Sequence, residues 1–241
     1  GIHLDAGAAE VVLTGVDVTS WGQDLPGNPK LGSLVSSVLH AFPTLTRLRM
    51  SSIDGIEVDD ELFELFAGER RIMPHIHLSL QHGHNLILKR MKRRHSRADA
   101  LDLVCRLKAR RSNIAVGADL IAGFPTETEE HHEANLSIVR DLDIVHGHIF
   151  PYSPRPGTPA SRMPQIERSI IKRRAADLRV QVAKLRADWA ATLVEKPLEV
   201  LAEADGTGYS PEFARVKLPQ GTSRGSIVTV TPKTLEDNLL S

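Results

Sequence analysis

Five short runs rich in apolar and β-branched residues recur along the chain: Glu10–Gly15, Thr46–Ser52, Pro74–Leu80, Ile114–Ile121 and Asp143–Pro151. They begin about 30 to 40 residues apart, the length of a strand plus a crossover helix. Helix-start signals fall between them. Ser96 with Asp99, and Thr126 with Glu129, each place a hydroxyl three residues ahead of a carboxylate, the spacing of a capping box. Repeated right-handed crossovers lay successive strands parallel, in a sheet either open with helices on both faces or curled toward a barrel. Spacing alone leaves both open.

The faces of the strands favour the barrel, because alternate residues point to opposite sides. Along the third run Pro74, Ile76, Leu78 and Leu80 form an apolar row, and His75, His77, Ser79 and Gln81 a polar one. Gly117, Asp119, Ile121 and Gly123 share a face of the fourth run, and His146, His148, Phe150 and Tyr152 a face of the fifth. A sheet covered by helices on both sides wants continuously apolar strands. Three strands turning polar or small groups the same way suit an interior that holds a ligand. The sequence therefore predicts an α/β fold: a partial TIM-like barrel of about five parallel strands with helices.

A stretch containing Pro151, Pro154, Pro156, Gly157 and Pro159 ends the sheet, and a long helix follows from near Gln165. Its apolar positions Ile171, Ala175, Leu178, Val182, Leu185 and Trp189 step by four and three, giving one buried stripe. From Val194 the texture changes to short segments, Leu198–Glu203, Arg215–Leu218 and Ser226–Thr231, separated by Gly and Pro. These predict a small antiparallel β module. The expected division is 1–193 and 194–241.

Bulk properties narrow the classes. The 241 residues suffice for one barrel-sized core and a small appendage. Thirty Lys and Arg balance 30 Asp and Glu, so any nucleic-acid or membrane partner must be sought in local patches. A single Cys excludes an internal disulfide framework, and no run approaches the roughly 20 apolar residues of a membrane span. A reducing, cytoplasmic setting is expected. Gly1 stands where Met would start a chain and Glu10–Gly15 is already a strand, so no signal peptide is expected and the chain is expected to begin partway through a domain.

Ligands of parallel barrels sit at the C-terminal ends of the strands. Here those ends are Thr14-Gly15-Val16-Asp17, Ser51–Asp54, Ser79–His84, Asp119–Glu129 and Phe150–Thr158. Plainer readings stand beside the ligand reading. Gly123-Phe124-Pro125 also reads as a strand-to-helix turn. Asp119 with Arg155, or Arg47 with Arg49, also reads as an ion-pair set filling the interior. Cys105 follows Leu101 and Val104 on a helical apolar face and reads as a core residue. The pairs His75 and His77, His82 and His84, and His146 and His148 raise a metallohydrolase. Against it, His75 and His77 precede their strand's end with no carboxylate beside them, so no metal ligand is assigned and interior histidines read as hydrogen-bonded spacers. Lys89, Arg90, Lys92, Arg93, Arg94 and Arg97, and then Lys172, Arg173 and Arg174, read either as solvated faces or as phosphate contacts.

The strings LTGVD, MSSID, PHIHLSLQ, DLIAGFPTET and FPYSPRPGTPA resemble, in the same order, barrel segments of the radical S-adenosylmethionine tRNA methylthiotransferases. The resemblance runs from about Gly1 to the chain end. MPHIHLSLQ and YSPRPGTPA are most similar to the branch that methylthiolates threonylcarbamoyladenosine beside the tRNA anticodon. The resemblance implies a radical SAM barrel in which Thr14 and Gly15 meet the methionine amino group of S-adenosylmethionine and Ser79 and Gln81 approach its ribose. It sets Asp119, Ile121, Gly123 and Glu127 against the adenine, with Phe150 and Tyr152 flanking the base. Glycines would let backbone approach a flat ring, while hydroxyl and amide groups fix ribose and amino functions. Arg155, Lys89, Arg90, Arg93, Arg94, Lys172 and Arg173 would face tRNA, and the terminal module resembles a TRAM domain. No protein partner is implied. His82 and His84 depart from the small residues that the family usually has on either side of the glycine matching Gly83.

The family's chemistry needs a 4Fe-4S cluster on three cysteines spaced Cys-x3-Cys-x2-Cys, which cleaves S-adenosylmethionine to a 5′-deoxyadenosyl radical. This sequence has one Cys. The expectation is therefore the C-terminal part of such an enzyme, with no catalytic residue of its own. The alternative of another class is a non-catalytic RNA- or nucleotide-binding protein.

Overall fold

The structure, a computed structural model, describes residues 1–15, 17–18 and 20–241. Val16, at an expected strand end, lies outside the described residues. The strands β1 (Glu10–Leu13), β2 (Arg47–Met50), β3 (His75–Gln81), β4 (Ala115–Ala122) and β5 (Ile144–Pro151) fall where the periodicity placed them. β1 pairs with β2, and β3 with β4 and β4 with β5, all in parallel. Parallel bridges Leu48↔Ile72 and Ile53↔Leu78 join the two groups. Among the described residues this makes an open run of five parallel strands.

Helices α1 (Ile2–Asp5), α2 (Leu31–Ala41), α3 (Asp60–Gly68), α4 (Asn85–Arg90), α5 (Arg97–Arg110), α6 (Glu129–Asp141) and α7 (Arg168–Ala191) alternate with the strands. The apolar rows meet them: Leu48, Ile76, Leu78, Val116, Ala118 and Leu120 share one core with Leu31, Val35, Leu62, Phe66, Leu107 and Ile138. The opposite rows align across the sheet, since His77 sits opposite Gly117 and Gly117 opposite His146, with Asp119 opposite His148 and Ile121 opposite Phe150. One irregularity interrupts this. Between Leu78 and Gln81 β3 takes three steps against two on β4, and Gln81 adopts φ +66°. The bulge shifts the register past Leu78; Ser79 borders a small crevice with Gly55, Leu80 and His95 and none of the larger cavities, and its amide donates to the Ile53 carbonyl.

Three local expectations are corrected. Ser96 and Asp99 form the capping box of α5, but α6 is capped by Thr128 with His131 and not by Thr126 with Glu129. Thr126 has φ +67° behind Pro125, outside the extended conformation that a cap requires. The long helix starts at Arg168, three residues after Gln165. Cys105 is exposed. The buried stripe of α5 is Ala100, Leu103, Val104 and Leu107, and at about 100° per residue Cys105 points roughly 150° away from its centre.

Beyond α7, β6 (Leu198–Ala202), β7 (Thr207–Tyr209), β8 (Arg215–Lys217), β9 (Ile227–Val230), β10 (Leu235–Glu236) and β11 (Leu239–Leu240) form one sheet in the order β10-β11-β8-β7-β6-β9. Leu193, Leu198, Val200, Ala202, Ala214, Val216, Leu218 and Leu240 form its own core. Two arginines of β2 hold it. Arg47 donates to the carbonyls of Glu199 (2.8 Å) and Tyr209 (3.5 Å), and Arg49 to Pro211 (3.1 Å) and Ser210 (3.5 Å). Glu10 neutralises Arg49 through both oxygens, at 2.7 and 3.2 Å. Arg47 and Arg49 thus form an ion-pair set as the plainer reading had it, with Glu10 as the anion.

Candidate functional site

A cavity of about 500 Å³ opens where β3, β4 and β5 end, lined by Gln81, Ile121, Phe150, Pro151, Tyr152, Ser153, Arg155, Thr158 and Ala160. Phe150 is 51% exposed, which is unusual for so large an apolar ring and leaves its face free for a planar partner. Tyr152 packs edge-on against Phe124 with centroids 5.4 Å apart, and its buried hydroxyl has no hydrogen-bond partner. Burial pushes that phenol above its usual pKa, so it is a neutral donor waiting for an acceptor. A second cavity of about 310 Å³ shares Gln81, Ile121, Thr158 and Ala160 and adds Arg90, Met91, Lys92, Arg93 and Phe124. An aromatic slot therefore runs into a basic one.

The turn after β4 is set by a buried carboxylate. Glu127 Oε2 accepts the amides of Gly123 (2.9 Å) and Phe124 (3.2 Å) and lies 3.3 Å from His82 Nε2. Arg174 on α7 donates to Glu127 Oε1 (3.0 Å) and to its carbonyl (2.8 Å). Burial alone would raise Glu127, but His82, Arg174 and the Gly123 amide hold it below the usual carboxylate value. Burial lowers His82. Asn135 ties the neighbouring loop, accepting the Gly83 amide (3.0 Å) and donating to the Ile121 carbonyl (3.1 Å).

Glycine is required here by the protein itself. A Cβ on Gly123, which has φ +75°, would stand 2.6 Å from Ile171 of α7, and one on Gly117 would stand 2.3 Å from the His77 ring. His82 and His84 likewise have structural partners: His82 meets Glu127, and His84 Nδ1 accepts the Leu86 amide as the cap of α4.

Deeper along the inward rows lies a lumen of about 530 Å³, bordered by Glu10, Arg49, Ser51, His75, His77, His146, His148, Tyr209 and Phe213 among others. Asp119 borders neither this lumen nor the upper cavities but meets two of the lumen's histidines. Its Oδ1 lies 3.1 Å from His77 Nε2 and 3.1 Å from His148 Nδ1. Burial would raise this carboxyl, and the two imidazoles more than offset it. The expectation that no carboxylate stands beside these histidines is thus corrected. β4 carries Asp119 two residues beyond Gly117, into register with His148. Burial pushes His146 down to about 3, and His75 well below its usual value. At the N-terminal end of the strands Phe213 stacks on His75 (5.2 Å) and Tyr209 on Phe213 (4.6 Å).

The remaining sequence-derived candidates scatter. Thr14 and Gly15 are exposed past β1 and border none of these cavities. Arg90 donates to Thr126 (2.6 Å), Arg93 lies 3.8 Å from Asp54, Arg94 pairs with Glu57, and Lys89 is exposed. Lys172 is exposed on α7 and Arg173 pairs with Glu129 at 2.7 Å. Arg155 borders the upper cavity and is remote from any pairing with Asp119, whose partners are histidines.

Residues 3–137 match the model of the Radical SAM superfamily. The chain belongs to that superfamily. Among curated relatives of this radical SAM chain, the threonylcarbamoyladenosine tRNA methylthiotransferase MtaB of Rickettsia prowazekii (strain Madrid E) is 45% identical over 221 residues, covering 92% of the chain and 52% of the relative. The tRNA-2-methylthio-N(6)-dimethylallyladenosine synthase of Erythrobacter litoralis is 33% identical over 235 residues, covering 94% and 53%. The chain spans about half the length of the curated relatives it matches. The resemblance to tRNA methylthiotransferases seen in the motifs thus holds across nearly the whole chain. Among solved structures, coproporphyrinogen III oxidase (HemN) from Escherichia coli superposes with TM-score 0.51 at 13% identity, over 76% of this chain and 41% of that one. The radical S-adenosylmethionine methyltransferase TsrM from Kitasatospora setae superposes with TM-score 0.50 at 20% identity, over 65% and 30%. At such identities the likeness concerns the fold. Among the described residues no helix is long and apolar enough to cross a membrane.

The two cofactors of the superfamily fit differently. The upper cavity suits a nucleoside: it has an open aromatic face, an orphaned phenol and an amide at Gln81. A cluster needing three thiolates does not fit, since the one cysteine, Cys105, lies on the outer side of α5.

Proposed function

We propose that this chain supplies the S-adenosylmethionine-binding strands and the RNA-holding module of a cytoplasmic tRNA methylthiotransferase acting on threonylcarbamoyladenosine beside the anticodon. Residues 1–193 are the partial barrel and 194–241 the TRAM-like module. The observation that carries the reading is the upper cavity, where Phe150, Tyr152, Ile121 and Gln81 converge at the strand ends. Phe150 and Tyr152 flank the adenine, Ile121 fills the apolar remainder and Gln81 meets the ribose. Gly123 shapes the turn beneath them, while Asp119 and Ser79 act outside the cradle. Thr14 and Gly15 are the positions for the methionine end. Arg90, Lys92 and Arg93, together with Arg155, give the cradle's rim its charge for RNA phosphate; Lys89, Arg94, Lys172 and Arg173 extend it.

Calorimetric titration with S-adenosylmethionine, and with S-adenosylhomocysteine, tests this. Saturable binding is expected, weakened about ten-fold or more by Phe150→Ala or Tyr152→Ala, since stacking on a base contributes about 1–3 kcal/mol. Binding indifferent to both substitutions, or absent, overturns the cradle. Alone, the chain neither holds a 4Fe-4S cluster nor modifies tRNA; after anaerobic reconstitution, iron at about four per chain would contradict this.

A further inference from the structure

The lumen offers a second ligand site, independent of the nucleoside cradle. His77 Nε2, Asp119 Oδ1 and His148 Nδ1 converge from β3, β4 and β5, all three lying within 4.8 Å of one another. The two nitrogens stand 3.1 Å from the same carboxylate oxygen. A four-coordinate ion with bonds of about 2.0–2.1 Å to nitrogen and oxygen requires ligand atoms about 3.3 Å apart, so both histidine–carboxylate separations already fit and only the spacing of the two imidazole nitrogens, within 4.8 Å, is left to adjust. Two imidazoles and one carboxylate select zinc, iron(II), cobalt or nickel over magnesium or calcium, which prefer oxygen. We propose that His77, Asp119 and His148 bind one divalent first-row transition-metal ion, with its remaining coordination position open to the lumen.

Independent observations point to a polar occupant. His75 also borders the lumen, is 5% exposed, and has neither ring nitrogen hydrogen-bonded. A buried imidazole without a partner costs stability unless water or a ligand meets it. Gly117 leaves no room for any other side chain beside His77, because a Cβ there would lie 2.3 Å from its Nδ1. The His77 ring lies against the β4 backbone with its other nitrogen, Nε2, toward Asp119. His148, at the edge, leaves the cluster accessible. The competing arrangement is a carboxylate that accepts hydrogen bonds from two histidines and nothing more.

The two separate on titration of the chelator-stripped, full 241-residue chain with Co²⁺, followed by visible absorption and by equilibrium dialysis with elemental analysis. The expected result is one ion per chain, the intense visible bands of low-coordinate cobalt, and displacement by Zn²⁺. Asp119→Asn and His148→Ala should each weaken binding at least about 100-fold, more than loss of an outer hydrogen-bond partner does. His40→Ala, on the exposed end of α2, should leave it unchanged. Circular dichroism checks the fold of each variant. Should Asp119→Asn fail to fold, the exposed-edge variant His148→Ala decides, because Zn²⁺ should raise the unfolding temperature of the parent chain and not of that variant. No saturable binding by the parent, or binding that survives the decisive substitution, overturns the proposal. S-adenosylmethionine binding by the same variants reads the cradle separately, and either site can fail without the other.

Discussion

Replacing Arg174 by methionine tests whether the turn beneath the cradle is held by its buried ion pair. Arg174 is 3% exposed and Glu127 4%. The guanidinium makes two buried hydrogen bonds to Glu127, at 2.8 and 3.0 Å, and one at 2.8 Å to the exposed Glu129. Bonds to a charged partner contribute about 1.5–3 kcal/mol each, and the exposed contact about 0–1 kcal/mol. Methionine keeps most of the apolar stem, and Glu127 retains His82 and two amides. The loss should therefore sit at the low end of the about 3–5 kcal/mol that breaking a buried pair costs. With a urea slope of about 2–3 kcal/mol/M for a chain of this size, an Arg174→Met loss of about 3 kcal/mol lowers the midpoint by about 1–1.5 M. Circular dichroism against urea measures it. Adding Glu127→Gln should then cost less than it does in the parent, with a coupling of about 1 kcal/mol or more. A midpoint shift under about 0.3 M, or additive effects, would refute the claim that this pair sets the turn.

Acidification from pH 7 to pH 4 should lower the urea midpoint steadily. The lowered folded-state value of His82 means that only the unfolded chain takes up its proton as pH falls past about 6.5, which favours unfolding. The lowered value of Glu127 adds stability that is full above its ordinary 4.5 and is lost as pH drops through the folded value. A midpoint that is flat or rises on acidification contradicts both assignments. Asn135→Ala leaves the Gly83 amide and Ile121 carbonyl without their buried partner; a loss of about 2–4 kcal/mol is expected, with faster hydrogen exchange at Gly83. Unchanged exchange there removes Asn135 from its tying role.

Much of the barrel was legible because two periodicities survive in the sequence. The alternation of His75–Gln81 marked both the helix-facing and the inward row, and the length between runs fixed parallel crossovers. Gln81 and Ile121 were found this way, as were Phe150 and Tyr152. Sequence failed where a single residue departs from the regular backbone: the bulge before Gln81 shifts the β3–β4 register, and the left-handed Thr126 moves the cap to Thr128. Cys105 was misplaced because Leu101, only partly buried, was read as part of the core stripe. The Asp119 pairing with two histidines depends on strand register, which the spacing of runs does not give. Asn135 carried no signal, and Arg174, read with Lys172 and Arg173 as a solvated face or phosphate contact, is instead buried against Glu127, a role that exists only once α6 and α7 are docked. In the terminal module, β7, β10 and β11 are two or three residues long, too short for alternation to show.

The stack of His75, Phe213 and Tyr209 lines the lumen at the N-terminal end of its strands, and Arg47 and Arg49 pin the sheet that carries two of those rings. The terminal module thus lends two aromatic walls to a lumen whose remaining sides are built by the barrel, and a substitution that undocks the module would change that lumen without touching a barrel residue.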